Sequence, residues 1–122
     1  MSLSNTVENE MLADFLTRHP TLFLALSSSD PGETGAGISE PAPEEYVRQP
    51  VGAVALTGSA IYLDDDIVFP GATQTWGTVA YVAMFSAEEG GTFLGSAAVE
   101  SVNVGVGAVI TVAAGTPVVT LD

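Results

Sequence analysis

The stretch that decides the fold is TVAYVAMFSAEEGGTFLGSAAVES, residues 78–101. Its first nine residues are apolar at nearly every position, which is typical of a strand buried on both faces. Side chains alternate along a strand, so one face should carry Val79, Tyr81, Ala83 and Phe85, and the other Ala80, Val82 and Met84. The EEGG turn at 88–91 then predicts a β-hairpin in which residues 92–101 return as the partner strand.

Further short strands are predicted on both sides of this hairpin, in segments bounded by Gly, Pro and acidic turn signals. They cover residues 21–27, 46–58, 60–63, 67–69, 102–112 and 117–121. Pro50 lacks an N–H for the ladder and so predicts an edge strand or a bulge. The uncharged run 102–121 is long enough to span a membrane, but its glycines, Pro117 and its alternation favour strands. We expect about seven or eight strands in one β-sandwich or jelly-roll-like domain covering residues 1–122.

One helix is predicted before the strands, over residues 5–19. Asn5 is placed to cap it, with Glu8 three residues later as in a capping box, and Pro20 ends it. Its apolar stripe, which must lie on the domain or on a neighbour, consists of Val7, Met11, Leu12, Phe15 and Leu16.

A long loop is predicted at residues 28–45, SSDPGETGAGISEPAPEE, which is rich in Gly, Pro, Ser and acids. Loops of this length in small domains tend to be functional or to become ordered against a partner. We therefore expect the loop to contribute to a contact surface.

The charge balance excludes whole classes of partner. Fifteen acids against two arginines give a net charge of −13, so the chain cannot neutralise nucleic-acid phosphates and is repelled by anionic membranes. It suits docking on a basic protein surface. Cysteine is absent and the N-terminus has no signal-peptide pattern. Because 47% of residues are hydrophobic and only 14% charged, we expect part of the apolar surface to meet another subunit.

The sequence has few side chains that could act in catalysis, and we expect neither an enzymatic activity nor a cofactor. His19 is the only histidine and lies where a helix end is predicted, so it should interact with the last carbonyls. Paired carboxylates could hydrolyse glycosides, but the candidates all fall in turns or loops, where solvated acids are the simpler interpretation. These candidates are Glu44, Glu45, Glu88, Glu89 and the run Asp64–Asp66.

Asp64, Asp65 and Asp66 are three consecutive acids between IYL and IVF. A calcium loop is one interpretation, but the spacing is not that of an EF-hand and consecutive side chains in an extended chain diverge. The sequence favours a sharp, solvated reversal, in which Asp side chains bond to backbone and like charges discourage edge pairing.

Two scarce residues have alternative interpretations. Arg48 is expected to pair with Glu44, Glu45 or another acid, or else to be an interface contact. Trp76, the single tryptophan, is expected to pack in the core or to anchor an interface. Together with two residues of the helix stripe, the interface candidates are Met11, Phe15, Arg48 and Trp76. No metal ligands are assigned.

The chain as a whole resembles a family of small tailed-bacteriophage virion proteins, labelled phage tail-fibre-like, whose members also appear as head-decoration proteins. The segments that carry the resemblance are LSNTVENEMLADFL (3–16), PTLFLALSSSDPGETGAG (20–37) with YVRQPV (46–51), and FPGATQTWGTVAYVAMFSAEEGGTFLGSA (69–97) leading to VNVGVGAVITVAAGTPVVTL. Family members have Asn, Ser or Gly in place of Asp64–Asp66, so the resemblance does not make these aspartates a shared site.

The resemblance implies a non-enzymatic structural role in the virion, without catalytic residues. Since the chain has neither repeats nor heptads to build a fibre, we expect a capsid decoration, or cement, protein. It would bind the major capsid protein at the capsid surface, as a homotrimer at a three-fold position. The alternative is a tail or tail-fibre accessory, possibly a carbohydrate- or receptor-binding module that stacks sugars on Trp76 and Tyr62.

Overall fold

The computed structural model describes residues 4–43, 45–52, 54–57, 60–115 and 117–120. Within these residues the chain is mainly β with one helix, as predicted. The elements in chain order are α1 (Asn5–Arg18), β1 (Phe23–Ser27), β2 (Gln49–Pro50), β3 (Val54–Thr57), β4 (Ala60–Leu63), β5 (Ile67–Val68), β6 (Gly77–Phe85), β7 (Phe93–Val104), β8 (Thr111–Val112) and β9 (Pro117–Thr120).

The strands form three antiparallel sheets. The largest has the order β2-β1-β6-β7, a second has β3-β4-β9, and the third pairs β5 with β8. Pro50 therefore lies on an edge strand, as predicted, where its missing N–H leaves no gap in the ladder. These three sheets do not by themselves establish a single sandwich or jelly roll in one domain, so that architecture stays a prediction.

The predicted hairpin is confirmed, since β6 and β7 are antiparallel neighbours, but the predicted faces of β6 are wrong at one point. Val79 pairs with Val102 and Tyr81 with Ala98, so the register shifts between them. Residues 99–101 of β7 thus lie opposite Ala80 alone, and the alternation of β6 is interrupted at this point. Val79 consequently packs in the main core with Val82 and Met84, and not with Ala83 and Phe85.

Both faces of the four-stranded sheet are covered. One face contributes to the main core, which also draws on the helix and the two smaller sheets; its largest fully buried members include Leu12, Leu24, Ile61, Phe69 and Met84. The opposite face carries a smaller cluster of Ala25, Ala83 and Phe85. Ile38 from the long loop packs on that cluster together with Phe93. The loop therefore serves as a second layer over the sheet.

The N-cap of the helix lies one residue earlier than predicted. Ser4, in extended conformation, is the N-cap, and its Oγ accepts a hydrogen bond from the Val7 N–H at 3.2 Å. Asn5 is already the first helical residue, so Glu8 does not occupy the capping-box position relative to the cap. The helix ends at His19, whose backbone N–H donates to the Phe15 carbonyl. No helix in the described parts of the chain is long and apolar enough to cross a membrane.

Two predicted strands are each divided between sheets. Residues 46–58 supply β2 and β3, which belong to different sheets. Residues 102–112 supply the end of β7 and all of β8, with a turn between them. Gly107 makes this turn possible, because its φ of +85° is costly for any residue with a side chain.

Candidate functional site

Arg48 is the centre of a polar network that joins the long loop to the turn between β6 and β7. Its Nε and Nη2 donate to the two carboxylate oxygens of Glu40 at 3.1 and 2.8 Å. Its Nη1 donates to the backbone carbonyls of Ala87 and Gly90 at 3.1 and 2.8 Å. The guanidinium also lies 3.7 Å above the centre of the Phe85 ring. The predicted local ion pair is thus present, and its partner is Glu40.

Tyr46 continues this network into the sheet. Its hydroxyl donates to Glu40 at 2.6 Å and accepts from the Leu26 N–H at 3.0 Å. The short β2 pairs only with the first two residues of β1, so the Tyr46 hydroxyl satisfies an N–H of β1 beyond the point where β2 ends. Burial, together with the hydrogen bond to Glu40, raises the pKa of Tyr46 far above its ordinary value.

Glu40 is held as a carboxylate. Burial by itself raises the pKa of Glu40, but the hydrogen bonds from Arg48 and Tyr46 outweigh it and bring that pKa below the ordinary value of 4.5. The Glu40 carboxylate is therefore bound by two side chains of its own fold, Arg48 and Tyr46. Arg48, with 10% of its side chain exposed, is engaged within its own fold, and its role as an interface residue stays a prediction.

A second loop contact joins Glu45 to the segment before β6. One Glu45 oxygen accepts from both the N–H and the hydroxyl of Thr73, and the other accepts from the Trp76 indole at 3.3 Å. The hydrogen bond from the Thr73 hydroxyl is the largest influence that lowers the pKa of Glu45, and the indole adds to it. Glu45 therefore acts as an acceptor that fixes the loop. Glu44 lies outside the described residues.

Trp76 is 7% exposed, as predicted for core packing. Its ring meets Tyr46 edge-on with centroids 5.5 Å apart, and Tyr46 stacks on Phe69 at 6.0 Å. Because the Trp76 face is covered, it offers no exposed surface beside Tyr62 on which a sugar could stack. That particular carbohydrate-binding arrangement is wrong, while an anchoring role of Trp76 at an interface stays a prediction.

The three aspartates connect two sheets. All three are exposed, as predicted for a solvated connection; β4 and β5 belong to different sheets, and the sharp reversal stays a prediction. Asp66 does bond to backbone: its Oδ1 accepts from the Ala114 N–H at 2.8 Å, 48 residues away. No group of three or more His, Asp or Glu in the described part of the chain is arranged to hold a metal.

The other catalytic candidates are scattered. His19 contacts the Phe15 ring with centroids 5.0 Å apart at the helix end, and Glu88 and Glu89 are exposed in the turn between β6 and β7. Glu88 and Glu89 line one shallow cavity with Glu40, whose carboxylate is already bound by Arg48 and Tyr46. The absence of an enzymatic activity stays a prediction.

The helix candidates divide between surface and core. Met11 is 48% exposed, whereas Phe15 is half-buried against the main core.

A second group of exposed apolar side chains, absent from the sequence-based candidates, lies in and around the uncharged C-terminal segment. It consists of Val68, Val102, Val106 and Val109. The lack of charge over 102–121 was the available signal, but which of its valines face outward depends on the turn that separates β7 from β8.

Comparison with known proteins gives one result for the whole chain. No curated protein matches it. A protein-family model described as "Podophage GP4 fiber I protein gp80" matches residues 2–120. Apart from Leu121, this range contains all the segments on which the resemblance to phage virion proteins rests, as well as the Arg48 network and the exposed valines. The chain belongs to this gp80 fiber protein family and is a structural component of a bacteriophage virion.

Proposed function

We propose that this protein decorates the capsid as a cement protein, binding the major capsid protein and stabilising the assembled head. The observation that carries the proposal is the group of exposed valines in and around the uncharged run 102–121, on a molecule with a net charge of −13. Exposed apolar surface of this kind marks a protein contact. A protein that binds the assembled shell and not its dissociated subunits shifts the equilibrium towards the shell.

The proposed decoration requires no catalysis or cofactor. The long loop is fixed by Arg48 and Glu45 on its own domain, which provides a firm layer over the large sheet. A preorganised surface of this kind suits a protein that binds the assembled shell, because less conformational entropy is lost when it docks.

We further propose that the protein acts as a homotrimer at a three-fold position of the shell. The exposed side chains of Val7 and Met11 on α1, 39% and 48% exposed, are the candidate contacts between copies. Phe15, which is half-buried beside them, would extend the same face. These contacts are separate from the valines of the C-terminal segment.

A fibre or tail component is the second candidate, and the description of the matching family favours it. In that case the same surface would attach the domain to a fibre or tail protein. A receptor-binding version of this role would need a site other than the buried Trp76.

Immuno-electron microscopy of purified particles distinguishes the two. Cementing predicts antibody label over the head surface. Label confined to the tail would refute the decoration role and support the fibre role, and particles without label would refute both.

A further inference from the structure

A groove of about 670 Å³ opens between the large sheet and the segment 109–113. We call it the valine groove, because six valines line it: Val79, Val82, Val99, Val102, Val109 and Val112. Val79 and Val82 are buried in its floor, while Val102 and Val109 are 42% and 56% exposed at its rim. The irregularity between Val79 and Tyr81 accompanies this floor, in which Val79 and Val82 belong to one core cluster.

One wall of the valine groove contains β8. The Phe69 N–H donates to the Ile110 carbonyl, and Val68 lies opposite Thr111. In this antiparallel register the N–H and C=O of Thr111 point away from β5. Thr111 also lines the groove, and among the described strands none pairs with β8 except β5. An extended segment could therefore add to this edge of β8 and insert alternate side chains between the valines.

The charges at the groove indicate what kind of segment fits. Glu100 is the one charged residue in its lining, and it is exposed. The protein as a whole carries −13, so a segment with a cation opposite Glu100 gains attraction where an acidic one is repelled.

A second copy of the chain fits poorly. Its only two cations are already paired: Arg18 with Asp14 on α1 at 2.8 Å, and the buried Arg48 with Glu40. All three guanidinium nitrogens of Arg48 are engaged, by Glu40 and by two backbone carbonyls, which leaves the exposed Arg18 on α1 as the one arginine that a second copy could offer. Two copies would also bring together two surfaces of like charge.

We propose that the valine groove docks an extended segment of a different virion protein, apolar at alternate positions and carrying Lys or Arg opposite Glu100. The proposal rests on the proposed virion role, because it takes the partner from the particle. It adds the docking face and the chemistry of the partner, whether that partner belongs to the head or to the tail.

Photo-crosslinking on intact particles tests the groove. A benzophenone amino acid is placed at Val109 in one variant and, in a control variant, at Val47, which is 41% exposed outside the groove; cross-linked peptides are identified by mass spectrometry. We expect position 109 to cross-link to a Lys- or Arg-containing segment of another virion protein. Cross-linking of position 109 to a second copy of this chain, or no cross-link from it, would overturn the proposal.

The charge requirement has its own test. Glu100→Lys and the matched control Glu10→Lys, both at exposed positions, are bound to particles that lack the protein. Glu100→Lys should bind about tenfold more weakly than wild type, and Glu10→Lys should not. Equal binding of the two variants would overturn the charge pairing. A cross-link to a tail protein would leave the groove proposal standing and refute capsid decoration, so the two failures are distinguishable.

Discussion

Arg48 holds both carboxylate oxygens of Glu40, at 3.1 and 2.8 Å, while its remaining nitrogen reaches the carbonyls of Ala87 and Gly90. One side chain therefore ties the long loop and the entry to β2 to the turn between β6 and β7. Its cation also covers the Phe85 ring, on the sheet face that the loop protects.

Replacing Arg48 should destabilise the protein strongly. Arg48→Ala removes four hydrogen bonds and leaves the half-buried Glu40 carboxylate without its cation. We expect a loss of about 2–3 kcal/mol in the free energy of unfolding, measured by urea denaturation. Arg18→Ala is the matched control, since its pair with Asp14 is exposed and should contribute less than about 1 kcal/mol. Equal effects of the two substitutions would contradict the role of Arg48.

The Glu40 network predicts a specific acid sensitivity. The pKa of Glu40 in the folded protein lies below its ordinary value of 4.5. Its contribution to stability is therefore present above pH 4.5 and is lost as the pH falls through the folded pKa. Glu40→Gln should be less stable than wild type at pH 7, and the difference in urea midpoint should shrink below about pH 4.5. A difference that stays constant with pH would contradict this.

Substitution of Gly35 tests how closely the long loop approaches the large sheet. It has a φ of +81°, and a Cβ at this position would lie 2.7 Å from Cγ of Phe93. Gly32 has a similar φ of +74° but open space around it. Gly32→Ala should cost about 1 kcal/mol through backbone strain alone, while Gly35→Ala should cost clearly more in urea denaturation. Equal costs would mean that the loop does not pack on Phe93.

The aspartates between β4 and β5 should not bind calcium. They are exposed, and Asp66 already bonds to the Ala114 N–H. Millimolar calcium should leave the melting temperature of the wild type unchanged, with magnesium as the control cation. A calcium-specific rise in melting temperature that Asp64→Asn abolishes would contradict this interpretation.

The sequence was most informative where hydrophobic pattern and turn chemistry agree. The helix, the hairpin of β6 and β7 and the edge position of Pro50 all follow from local signals. The irregularity at Ala80 does not, because the two extra residues lie in β7, whereas the apolar sequence of β6 shows no interruption.

Contacts between residues distant in the chain were the other feature that the sequence could not predict. The interpretation of Arg48 as a member of a local ion pair was correct, but Glu40 could not be chosen among the loop acids without the fold. The Asp66 bond to Ala114 and the valine groove likewise join segments that only the three-sheet arrangement brings together. Spacing alone carries no information about such contacts.

The proposed cementing role is tested most directly by the temperature at which particles release their genome. Particles with and without this protein are heated in parallel, and DNA release is followed with a fluorescent dye. Cementing predicts release at a lower temperature without the protein, and restoration when purified protein is added back. Equal release temperatures for the two kinds of particle would contradict it.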